Sequence, residues 1–144
     1  MSAIDELLDG ARSSLDRVDP VRAQRLQSDG ALIVDIRPHA NRLDEGEIPG
    51  SVVVERIHLE WRLAPDSEWK LPGVTTGTVA IVVCNEGYSS SLAAADLQRL
   101  GLPGATDLAG GFRAWAAAGL PVTAGGVGRG AVRARECLGR LEPS

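Results

Sequence analysis

A chain of 144 residues, 44% apolar and 24% charged, has the size of one domain with a true hydrophobic core and leaves no room for a second catalytic domain. The net charge is −4, Lys70 is the single lysine, and the arginines are scattered without a run, which excludes the basic stripe of a nucleic-acid-binding surface. The two cysteines, Cys84 and Cys137, stand far apart and outside any Cys-x-x-Cys spacing, so neither a structural metal site nor a disulfide framework is expected.

The opening residues, MSAIDELLDG, lack a basic start followed by an apolar stretch, and no apolar run approaches the roughly 18 residues of a membrane span. A cytoplasmic location is the expectation, and a reducing compartment suits a free thiol. Residues 3–16 place Ile4, Leu7, Leu8, Ala11 and Leu15 on one face of an amphipathic helix weakened by Gly10. Asp19 and Pro20 then read as N-cap and first residue of a short second helix, with Val21, Ala23 and Leu26 available for packing before Ser28-Asp29-Gly30 stops it.

Ala31–Ile36 is an apolar run of strand length, the first of several that alternate with helical patterns. Asp35 and Arg37 close it. Two apart at a strand end, they are expected to pair with each other only awkwardly and to brace neighbouring loops, a structural and not a catalytic role. Pro38–Gly50 reads as a polar loop of about 13 residues, long enough to pack over something, and Pro49-Gly50 turns the chain into a second strand at Val52–Val54.

Glu55–Lys70 gathers Arg56, His58, Glu60, Trp61, Arg62, Asp66, Glu68 and Trp69. Ile57, Trp61 and Ala64 fall at the spacing of one or two helical turns ended by Pro65. His58 by itself reads as a surface or hydrogen-bonded histidine. The tryptophans and arginines together are suited to wall one side of a site.

Thr78–Val83 is a β-branched apolar run typical of a fully buried strand, and it ends at Cys84. From Ser90 the period becomes helical, with Leu92, Ala93, Leu97 and Leu100 in one stripe, Asp96 and Arg99 outside it, and Gly101 as the stop. Cys84 therefore stands between a strand and a helix N-terminus, where unpaired backbone N–H groups and the helix dipole favour a thiolate. Gly87 permits a positive φ that curls the segment, and Ser89, Ser90 and Ser91 are suited to cap the helix or to contact an anion. The plainer reading of a lone cysteine after an apolar run is a small core residue.

Gly101–Gly104 reads as a loop and Ala105–Leu108 as a short strand. Gly110-Gly111 opens another helix that ends at Gly119, with Phe112 and Trp115 as core. From Thr123 the chain is Gly-rich, and Gly128–Leu141 has the pattern of a basic, weakly amphipathic helix around Val132, Cys137 and Leu138. Cys137 reads as a spare thiol; the alternative is a resolving partner for Cys84.

The segment Cys84-Asn85-Glu86-Gly87-Tyr88-Ser89-Ser90 resembles the active-site loop of single-domain rhodanese-like sulfurtransferases. Asp35-x-Arg37 with Ile48-Pro49-Gly50, and Gly110-Gly111-Phe112 with Trp115 and Leu120-Pro121-Val122, resemble two further segments of that family in the right order. The resemblance covers residues 19–122, flanked by the helix in residues 1–18 and a tail in residues 123–144. Together with the alternating periodicity it implies an open parallel α/β sheet of about five short strands with helices on both faces and the site at the end of the strand that carries Cys84.

What the resemblance implies is a sulfurtransferase in which the Cys84 thiolate takes sulfane sulfur from a small-molecule donor or a persulfide-carrying protein and passes it to a thiol or cyanide. It implies no cofactor and no metal. The N–H groups from Asn85 to Ser90 would stabilise the persulfide anion, and Arg56, Arg62 and Arg113 are candidate anion contacts. Glu47 stands where the family usually has histidine before Ile48. Ser89 stands where thiosulfate-using members resemble Cys-x-x-Gly-x-Arg and Glu86 adds a negative charge, so thiosulfate is expected to be a poor donor unless Arg56, Arg62 or Arg113 compensates. Two other classes stand beside this one. A cysteine phosphatase would resemble Cys-x-x-x-x-x-Arg, but the sixth residue after Cys84 is Ser90. A rhodanese-like module that binds without turnover usually lacks the cysteine.

Overall fold

The computed structural model describes residues 1–125. Four parallel strands, β1 (Leu32–Asp35), β2 (Val52–Val53), β3 (Ala80–Val83) and β4 (Thr106–Asp107), lie in the order β2-β1-β3-β4. Register is set by Val34 and Asp35 against Val52 and Val53, by Leu32–Asp35 against Ala80–Val83, and by Ile81 and Val82 against Thr106 and Asp107. Among the described residues the sheet has four strands where about five were expected, and the β4 edge continues only as a single bridge from Leu108 to Val18.

The central strand β3 is buried on both faces because its residues alternate between two cores. Ala80 and Val82 join one core with Leu59, Leu63, Ala93, Ala94 and Leu97; Ile81 and Val83 join the other with Val18, Ala23, Ile48, Leu108, Phe112 and Trp115. The first core is covered by α4 (Leu59–Leu63) and α5 (Ser89–Arg99), and the second by α2 (Pro20–Ser28) and α6 (Gly111–Ala117). Two further helices, α1 (Ala3–Arg12) and α3 (His39–Glu45), complete the described chain, and α1 packs against α5.

Local chemistry accounts for the element ends. Asp19 caps α2 by accepting from the amide of Arg22 at 2.8 Å, with Pro20 at the first helical position as its sequence implies. Ser2 and Asp5 form a capping box on α1. That helix stops at Arg12 and does not run to residue 16, and of its expected apolar face only Ala11 is buried, while Ile4 and Leu7 are exposed.

Three other expectations change. The segment 38–50 is not a loop throughout, because it contains α3. That helix carries no apolar stripe: its buried residue is Arg42, which pairs with the buried Glu47 at 2.9 Å, and its leucine, Leu43, faces solvent. Ile57 and Trp61 are also exposed, because residues 56–58 form a 3-10 turn and the α-helix begins only at Leu59, so that Leu59 and Leu63 take the buried face at spacing four. Finally, Asp35 and Arg37 pair closely. Arg37 donates through Nε and Nη2 to both carboxylate oxygens of Asp35, the Nη2 bond at 2.8 Å, and both side chains are buried.

Candidate active site

Cys84 follows the last residue of β3 and its side chain joins the apolar core, yet the sulfur also receives hydrogen bonds. The amide of Gly87 donates to Sγ at 3.1 Å and the amide of Ser90 at 3.4 Å. Gly87 has φ of +89°, a left-handed value that brings its N–H back over the thiol, and a Cβ there would lie 2.8 Å from the backbone nitrogen of Gly110. Burial pushes the Cys84 pKa upward. Hydrogen bonds from the Ser90 hydroxyl and amide, the Ser89 hydroxyl and the Gly87 amide outweigh it, so the thiol titrates below the ordinary cysteine value.

The serines do not cap α5 through their side chains. The N-cap is Tyr88, and Ser89–Ser91 form the first turn. Ser90 and Ser91 instead donate from Oγ to Oδ2 of Asp107 at 2.7 and 2.8 Å. Asp107 lies on β4 with its side chain fully buried, and its charge is balanced by Arg17, whose Nε donates to Oδ1 at 2.9 Å and Nη2 to Oδ2 at 3.2 Å. The Ser90 hydroxyl has one proton, and both the Asp107 carboxylate and the Cys84 sulfur lie within its reach.

The loop is held from below by α6. The first N–H groups of a helix have no intrahelical acceptor; here the amide of Phe112 donates to the carbonyl of Cys84 at 2.9 Å and that of Arg113 to the carbonyl of Asn85 at 3.1 Å. Gly110 and Gly111, at φ of +78° and +67°, make the approach possible, because a Cβ on Gly111 would sit 2.6 Å from the carbonyl oxygens of both Cys84 and Asn85. Phe112 and Trp115 are core, as their apolar spacing implies.

Of the three arginines expected at the site, only Arg113 reaches the loop. Its Nε donates to Glu45 at 3.1 Å and its Nη1 lies 3.5 Å from Glu86. Asn85 donates to the other oxygen of Glu45 at 3.0 Å and accepts from Nη1 of Arg37 at 3.4 Å. The hydrogen bond from Arg113, and then that from Asn85, hold the Glu45 carboxyl below the usual carboxylate range. Arg56 pairs with Glu60 and Asp96, towards the far end of α5. Arg62 is buried and donates to the carbonyl of Trp69 at 2.8 Å.

Sequence spacing alone misses Arg12, Arg17 and Asp107. Asp107 carried a signal: a carboxylate inside the apolar strand pattern of Ala105–Leu108 needs buried donors, and the serines of α5 supply them. Arg12 and Arg17 carried none. Cys137 and the Gly128–Leu141 segment lie outside the described residues.

The rest of the molecule adds neither a metal cluster nor a membrane helix among the described residues. Residues 19–118 match the profile of the rhodanese-like domain. The chain is 36% identical over 100 residues to the thiosulfate sulfurtransferase GlpE of Stutzerimonas stutzeri, covering 69% of this chain and 83% of that one. It is 37% identical over 106 residues to the thiosulfate sulfurtransferase GlpE of Ectopseudomonas mendocina, covering 73% and 88%. Among solved structures, a Rhodopseudomonas palustris protein of unknown function, described as a possible tyrosine phosphatase, superposes with a TM-score of 0.75 at 34% identity, over 85% of this chain and 95% of that one.

Proposed function

This chain belongs to the rhodanese-like domain family and is a sulfurtransferase of that family, and from this premise we propose that Cys84 is the residue that carries the sulfur. The observation that supports it most directly is the pair of amides, Gly87 and Ser90, directed at Sγ at the first turn of α5, which favour a thiolate and then a persulfide anion over the neutral forms. The Cys84 thiolate attacks the sulfane sulfur of the donor. A new S–S bond forms, the donor's own bond to that sulfur breaks, and the leaving group, sulfite from thiosulfate or a thiolate from a persulfide, departs with the electron pair. A thiolate or cyanide then attacks the outer sulfur, the Cys84 S–S bond breaks, and the thiolate returns. Each half-reaction balances without an external oxidant, cofactor or metal.

The donor class follows from the rim. Glu86 and Glu45 share the single guanidinium of Arg113, so that side of the loop carries a net negative charge. A dianion approaching a solvated carboxylate at about 4 Å is opposed by about 1 kcal/mol per unit charge. We therefore place a low-molecular-weight or protein persulfide ahead of thiosulfate, with a thiol as acceptor. The missing arginine at Ser90 removes the phosphoryl-binding group a cysteine phosphatase requires.

The test is the intact mass of the protein after exposure to thiosulfate or to a persulfide, followed by cyanide or dithiothreitol. A gain of one sulfur, removed by the acceptor and absent from Cys84→Ala, is the expected result. No gain from either donor, or a gain that survives in Cys84→Ala, overturns the assignment.

A further inference from the structure

Gly87 faces the sulfur with its N–H, and two guanidinium groups meet on its carbonyl oxygen. Nη2 of Arg12 donates to it at 2.8 Å and Nη2 of Arg17 at 2.9 Å. A carbonyl oxygen has two lone pairs, and here both are taken by charged donors, with the hydroxyl of Ser91 also 3.4 Å away. Both arginines lie outside residues 19–118, the span of the family profile. Arg12 ends α1, and Arg17 is carried in by the backbone of Val18, whose N–H donates to the carbonyl of Asp107 at 3.1 Å while its carbonyl accepts from Ala109 at 2.8 Å.

The two differ in charge balance. Arg17 is neutralised by Asp107. Arg12 instead donates from Nε to the hydroxyl of Ser91 at 3.0 Å and lies 5.7 Å from the centre of the Tyr88 ring, and among the described residues it forms no ion pair. It is an uncompensated cation fixed to the loop that holds the thiol. The carbonyl it grips and the N–H that faces the sulfur flank the same Gly87 Cα, so fixing one constrains the direction of the other.

We propose that Arg12 and Arg17 are positioning residues for the Cys84 chemistry: by clamping the Gly87 carbonyl, residues 1–18 complete a site that the family domain alone leaves open. This rests on the reading of Cys84 as the sulfur carrier. The clamp sets the orientation of the Gly87 amide over Sγ, and so the fraction of thiolate and the geometry of attack.

The test compares Arg12→Ala and Arg12→Lys with the unaltered full chain, with Arg99→Ala as a surface-arginine control. The readouts are the pH profile of Cys84 alkylation by iodoacetamide, the single-turnover rate of sulfur uptake from a persulfide, and the thermal midpoint. For Arg12→Ala the alkylation profile moves to higher pH and uptake slows about tenfold, the size of one charged hydrogen bond, in a chain that stays folded with a midpoint lowered only by the loss of that bond. Arg12→Lys, which keeps one charged donor for Gly87, restores most of both. A folded Arg12→Ala with the unaltered profile and rate overturns the proposal. Should that variant not fold, Arg12→Gln carries the test, and an unaltered alkylation profile in it overturns the proposal equally. Alkylation requires no sulfur donor, so the clamp can fail while sulfur uptake by the unaltered protein stands, and the converse.

Discussion

The amide of Phe112 donates to the carbonyl of Cys84 at 2.9 Å, so the strand that ends at the thiol is stapled to the first turn of α6 one residue after a glycine pair. The staple depends on the absence of a side chain at Gly111, where a Cβ would meet two carbonyl oxygens at 2.6 Å on a backbone of positive φ.

Gly111→Ala is expected to destabilise the fold by about 3 kcal/mol, combining left-handed strain with overpacking against backbone that has no room to yield. Urea unfolding measures this. A midpoint equal to that of the unaltered protein would mean that the loop and α6 are not in the contact described.

Ser90→Ala removes the one hydroxyl proton within reach of both the sulfur and Asp107 while keeping the amide, and is expected to raise the Cys84 pKa. In the unaltered protein the folded-state pKa lies below the ordinary thiol value, so the folded chain holds fewer protons than the unfolded one as pH rises. The contribution to stability is fully present above the unfolded thiol pKa and is lost as pH falls through the folded one. Plotted against pH, the stability difference between the unaltered protein and Cys84→Ala therefore grows towards alkaline pH, and in Ser90→Ala that growth is smaller. Denaturant titrations at a series of pH values read it directly.

Glu86→Gln is expected to raise kcat/KM for thiosulfate by about thirtyfold at low salt and that for a singly charged low-molecular-weight persulfide by only about fivefold, because the dianion feels the rim carboxylate twice as strongly. Salt should narrow the difference. Efficient thiosulfate turnover that is the same before and after the substitution would remove Glu86 from the account of donor choice.

Asp35→Ala strands the Arg37 guanidinium in a buried position, where it also donates to the carbonyl of Gly46 and lies 4.0 Å from the centre of the Phe112 ring. Breaking a buried pair in this way costs about 3–5 kcal/mol. Replacing both partners by apolar residues should cost less than removing Asp35 alone, which a double-mutant cycle of unfolding free energies will show.

The parts of the fold legible in the sequence are those written in local patterns: the alternating burial of Ile81 and Val83 against Ala80 and Val82, the Asp19-Pro20 start of α2, and the glycines that bend the chain at Gly87 and Gly110-Gly111. The Cys84 turn was readable for the same reason, since a strand, a positive-φ glycine and a helix start fall within a few residues. Helix α3 was not, because its buried face is an arginine paired with Glu47 and carries no apolar period. The arginine candidates illustrate the same limit. Arg113 reaches the loop because its own backbone is bonded to Asn85, whereas Arg56 and Arg62 lie in a stretch rich in arginine and tryptophan and are held by Glu60, Asp96 and the Trp69 carbonyl. Arg12, Arg17 and Asp107 meet the loop only through tertiary structure, and no spacing rule connects Arg17 to a carboxylate 90 residues away.

The donors to the sulfur stand three and six residues from Cys84, but the bonds that hold their loop in place join residues made at very different times during synthesis. Arg12 meets Gly87 across 75 residues, and the carbonyl of Cys84 waits for the amide of Phe112. Long-range closures of this kind come late in folding, after the loop entropy they cost has been offset by the core. A nascent chain that has emerged only as far as α5 thus carries the Gly87 and Ser90 amides but lacks the α6 amides that hold the carbonyls of Cys84 and Asn85. The sheet and α6 must therefore both be complete before the backbone on either side of the thiol is fixed.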